Sequence, residues 1–84
     1  MKEWSKKLLA ETTQELEKLQ TMLDMGVGEY ARRTVKEFPE LEHLTRNHDA
    51  AWAFRTGQAS AKIKAIITDL NLIKKWEEED EDNE

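Results

Sequence analysis

From Ala59 onward the apolar residues fall at Ala59, Ile63, Ile66, Leu70 and Ile73, in alternating steps of four and three. Only an α-helix gathers such positions on one side, because about 3.6 residues complete a turn. Trp52 extends the stripe upstream and is expected in the core. A helix from Asn47 to Trp76 would measure on the order of 45 Å, the longest element of the chain. Its start has two readings. Either helix runs unbroken from Pro39, or a short turn carries Leu41 and Leu44 and Asn47 caps a fresh helix at His48.

A second stripe lies at the other end of the sequence. Trp4, Leu8, Leu9, Leu16, Leu19, Met22 and Leu23 share one side of a helix over Trp4–Met25, with Lys and Glu opposite. Ser5 is a candidate cap. Thr12-Thr13-Gln14-Glu15 offers a second capping box, so the first two turns are expected to fray. Gly26 stands where a left-handed C-terminal cap would sit, with Val27 folding back onto Met22 or Leu23. Val27, Tyr30, Ala31, Thr34, Val35 and Phe38 then form a shorter stripe, in which Glu29 can pair with Arg32 or Arg33. That segment ends at Phe38, because the residue before proline is pushed out of helical geometry.

Charge divides the 84 residues unevenly. Glu77 to Glu84 hold seven of the eighteen acidic groups and no base, while residues 1–76 carry eleven acids against thirteen Lys and Arg. The net charge of −5 therefore belongs to a tail. With no apolar group to bury, residues 77–84 are expected to be disordered. The body forms a single domain, 1–76, with a marginal core at this length. Cysteine is absent, which excludes disulfides and thiolate metal sites. Leu8-Leu9-Ala10 is too short for a signal-peptide apolar region, and no run approaches membrane-spanning length. The expected location is the cytoplasm.

Few features suggest chemistry. Ala53-x-x-x-Gly57-x-x-x-Ala61 is a file of small residues on one helix side. It would let another helix approach closely, within the chain or across a dimer. Gly57 costs roughly 1 kcal/mol of helix propensity against alanine, so packing is a reason for its presence. Glu40-Leu41-Glu42-His43 contains one Glu-x-x-His step, the spacing used in ferritin-like di-iron sites, with Glu11 or Glu15 as further carboxylates. A single step in a first turn is more simply solvated charge. Arg32, Arg33 and Lys36 form a candidate basic surface. Yet bases elsewhere, such as Lys62, Lys64, Lys74 and Lys75, are interspersed with Glu rather than clustered on one face. Trp4 and Trp76 are expected to meet where the chain ends lie together, as core or as interface anchors. No phosphate loop or nucleophile constellation is present, and no catalytic residue or cofactor is expected.

The sequence thus predicts an all-α fold: an antiparallel helical hairpin with a short connecting helix around Tyr30 to Phe38, dimerising into a helical bundle. The expected function is non-enzymatic protein–protein interaction through a helical surface, in the manner of small bacterial and phage-encoded regulators, adaptors or inhibitors. Its partner is another protein, with a homodimer also expected. Ala53, Gly57, Ala61, Trp4 and Trp76 are the candidate interface residues. The alternative is a nucleic-acid-related protein, either a DNA or RNA binder or an acidic-tail mimic. A metal site at Glu40 and His43 ranks last.

Overall fold

Two residues of extended backbone, Met25 and Gly26, separate the first two helices, with ψ of 140° and 149°. The expected left-handed cap at Gly26 does not form, since its φ is −63°. The end of the helix is closed in two ways. Met25 N–H donates to Thr21 O at 3.2 Å. Arg55, thirty residues further on, donates from Nη1 to Met25 O at 2.6 Å. A cation at a helix C-terminus also meets the negative end of its dipole.

The computed structural model describes residues 1–82, and these are all-helical. Helix α1 spans Glu3–Asp24, α2 spans Val27–Glu37, a 3₁₀ helix spans Pro39–Thr45 and α3 spans His48–Asp82. Helix α1 runs unbroken through Thr12 and Thr13, so its first turns are formed rather than frayed. Ser5 does not cap it; the side chain is fully buried. Phe38 leaves helical geometry ahead of Pro39, as proline requires. Of the two readings for residues 39–47, the structure takes the second. Asn47 Oδ1 accepts Ala50 N–H at 3.0 Å and caps α3.

Helix α3 does not stop at Trp76 but continues through Asp82. Glutamate is a good helix former. Lys74 meets Glu78 one turn on at 3.9 Å, and the Met1 ammonium meets Glu77 at 3.9 Å. Residues 83–84 of the expected disordered tail lie outside the described residues.

Helices α1 and α3 lie side by side and antiparallel. Trp4 stacks on Trp76 at one end, with ring centroids 5.3 Å apart, and Arg55 holds Met25 at the other. In between, Lys62 Nζ meets Glu15 Oε2 at 3.6 Å. The facing positions on α1 are Ser5, Leu8, Thr12, Glu15, Leu19 and Met22. Those on α3 are Arg55, Ala59, Lys62, Ile66, Asp69, Ile73 and Trp76. All are buried or half-buried, and both sets recur by threes and fours. This is the narrow seam of a coiled coil. Leu19, Met22, Ala59 and Ile66 form its central cluster, with Tyr30 of α2 packed against it. Val27, Ala31, Leu44 and Ala51 join α2, the 3₁₀ helix and the start of α3 in a second cluster.

The molecule measures 58 × 22 × 17 Å, with a radius of gyration of 17.2 Å. A compact chain of this length would have about 12 Å. So long a rod has little interior, and that decides where its apolar residues go.

Candidate interaction surface

The apolar stripes read from the sequence are split by the fold. On α1, Leu19 and Met22 are buried, whereas Leu9, Leu16 and Leu23 are 37%, 45% and 47% exposed. On α3, Ala59, Ile66 and Ile73 are buried, whereas Ile63, Ile67 and Leu70 are 43%, 52% and 41% exposed. Trp52, expected in the core, stands 53% exposed with the Arg55 guanidinium 4.9 Å from its ring.

These exposed residues share one face. Leu9, Leu16 and Leu23 each follow a seam residue (Leu8, Glu15, Met22), and Thr56, Ile63 and Leu70 follow Arg55, Lys62 and Asp69. Two antiparallel helices are interchanged by a rotation normal to the plane that contains them. Equivalent positions on the two helices therefore flank the seam on the same side. Thr13 and Gln20 on α1, with Ala53, Ser60 and Ile67 on α3, widen that side by one more row. Every one of these positions is exposed and none is charged. Thr13 Oγ1 already donates to Leu9 O at 2.8 Å, so its hydroxyl has a partner whether or not the face is covered. A shallow concavity of about 430 Å³ runs along the α1 half, lined by Leu16, Leu19 and Leu23 among others.

The opposite side of the hairpin is covered near the α2 end. There Tyr30, Arg33, Thr34 and Phe38 stand over Met22, Met25, Phe54 and Gln58 and enclose a groove of about 630 Å³. Tyr30 and Phe54 pack with ring centroids 6.4 Å apart. Helix α2 is thus the third helix of a bundle on one side, and the leucine-rich side has no such helix.

Of the residues singled out from sequence, the structure brings Trp4 and Trp76 together but does not pack the small-residue file. Ala53, Gly57 and Ala61 are all exposed, and a Cβ built on Gly57 meets nothing within 4 Å, so close packing within the chain is not their role. Only Ala53 lies on the leucine-rich face. Trp4 and Trp76 do meet, with Lys2 Nζ 5.4 Å from the Trp4 ring centroid. Arg32, Arg33 and Lys36 are all exposed on α2. Arg33 is held by Glu29 at 2.9 Å and borders the larger groove. Arg32 borders a different cleft, with Leu44, Arg46 and His48. Glu40 and His43 lie exposed on the 3₁₀ helix. Glu15, a candidate further ligand, is engaged by Lys18 at 3.4 Å and by Lys62 at 3.6 Å. Among the described residues no group of three or more His, Cys, Asp or Glu is placed to hold a metal ion. No helix among them is long and apolar enough to cross a membrane.

The sequence reading missed the leucine-rich face although a signal was present. Leu9, Leu16 and Leu23 repeat every seven residues, in register with the seam but displaced from it. Compared with family models, curated proteins and solved structures, the chain matches none.

Proposed function

We propose that the chain is a non-enzymatic protein–protein interaction module, and that its recognition surface is the uncharged face carrying Leu9, Leu16, Leu23, Ile63, Ile67 and Leu70. One observation carries this reading: large aliphatic side chains are left in water together, on one side of the hairpin, with no charge among them. Contiguous exposed apolar surface is rare on soluble monomers and marks docking sites. A helical surface laid on this face would complete the bundle that α2 begins on the other side. Self-association is the form of this reading that needs nothing beyond the chain itself.

Carbene footprinting tests it, because carbenes label aliphatic side chains. The six residues should label strongly in dilute purified protein and be protected in host extract, while Phe38 and Trp52 change little. Strong labelling of the face in both conditions would refute the reading.

A further inference from the structure

We infer that the face is built to receive a second copy of itself, packed antiparallel about a two-fold axis that crosses the hairpin between Leu16 and Ile63. This rests on the face being the recognition surface.

The argument is one of symmetry. On α1 the leucines at 9, 16 and 23 are symmetric about Leu16. On α3, Thr56 and Leu70 are symmetric about Ile63, and Ser60 and Ile67 lie nearly so. The two centres are level with each other. The cross-helix contacts bracket that register: the Glu15–Lys62 and Met1–Glu77 pairs put the level partner of Leu16 at residues 61–62, and the Trp4–Trp76 stack and the Arg55–Met25 bond put it at residue 64. A patch symmetric on both helices about one common layer is self-complementary, which a two-fold interface requires. In the resulting four-helix bundle Leu16 faces its own copy and Leu9 faces Leu23 of the other copy. Leu70 and Ile67 lie on the smaller Thr56 and Ser60, so large side chains meet small ones.

Charge chooses between the two ways of turning the second copy. The face ends in Lys2, Lys6, Lys74 and Glu77, net positive, on one side and in Asp24 and Asp49 on the other. An axis parallel to the helices would set lysines against lysines. The perpendicular axis sets the Lys6 end against Asp24, within about two residues of direct opposition. The area also suffices. The 22 residues of α1 extend about 33 Å and two helices are about 20 Å wide, giving roughly 650 Å² in projection. A corrugated face has more accessible area than its projection, close to the roughly 800 Å² per partner of a standard stable interface.

The absence of cysteine makes the test direct. Three single variants of the full chain are compared under mild oxidation at micromolar concentration: Leu16→Cys, Leu9→Cys and Leu23→Cys. Leu16→Cys should form a covalent dimer with itself. Leu9→Cys and Leu23→Cys should each cross-link poorly alone and efficiently when mixed. Sedimentation of the unmodified chain should show a dimer. A monomer throughout the micromolar range, or a Leu9–Leu9 cross-link as efficient as the mixed one, would overturn the inference. The footprint separates the two levels: a monomeric chain whose face is protected in extract keeps the module reading with another partner, while an unprotected face removes both.

Discussion

Replacing Thr12 with valine should make this protein more stable. Thr12 lies in the α1–α3 seam, 1% exposed, and its hydroxyl has no hydrogen-bond partner. Three other threonines of α-helices, Thr13, Thr21 and Thr68, donate to the carbonyl four residues back; Thr12 does not. An unpaired buried hydroxyl costs about 1–3 kcal/mol. Valine has nearly the same shape and a similar helix propensity, so removing the hydroxyl should return about 1–2 kcal/mol. For a domain of this size each kcal/mol moves Tm by about 4–8 °C, giving a rise of about 5–15 °C. Thr13→Val is the control, since that hydroxyl is exposed and already bonded; its effect should stay within about 0.5 kcal/mol. Both variants are followed by urea titration and thermal melts in far-UV circular dichroism. One fixed protein concentration is used, because association adds concentration-dependent stability. If Thr12→Val is no more stable than Thr13→Val, the hydroxyl has a partner in solution and the seam is not dry.

Arg55→Met should lose about 1.5–3 kcal/mol, because Met25 O loses a charged donor and the Trp52 ring its cation; Arg55→Lys should recover part of it, as urea midpoints would show. Asn47→Ala should cost about 1 kcal/mol through loss of the α3 cap, whereas Asn47→Asp should be near neutral by the same assay. Gly57→Ala should add up to about 1 kcal/mol, since an added Cβ meets nothing; a loss of stability would show that Gly57 is packed in solution. Leu16→Glu should leave the circular dichroism spectrum unchanged at low concentration and abolish association by sedimentation, because the residue is outside the seam.

Helix positions were legible because the spacing of apolar residues records the turn of a helix whatever it packs against. Which apolar residues face inward was not. On α1 two seven-residue series run side by side, Ser5-Thr12-Leu19 and Leu9-Leu16-Leu23, and the sequence reading merged the second with Leu19 and Met22. The less apolar series is the buried one. Small side chains let α3 come close, and that choice depends on residues fifty positions away. The cap at Gly26 failed for a related reason: local pattern predicts a local solution, while Arg55 supplies a distant one. The Trp4–Trp76 contact was legible because a hairpin returns its ends to one place. The interaction surface escaped notice because periodicity does not distinguish a stripe facing the chain's own core from one facing a partner.

The hairpin's one-sidedness has a consequence for how long a molecule survives after synthesis. Proteases and holding chaperones sort chains by the apolar surface they present and by how often they open. A copy with Leu9, Leu16, Leu23 and their α3 neighbours uncovered carries that mark while correctly folded. Covering the face removes the mark and, by mass action, also holds the seam shut. Supply of this protein would then be metered by occupancy: copies made beyond what can assemble are cleared, and the steady level follows the number of covered faces rather than the rate of translation.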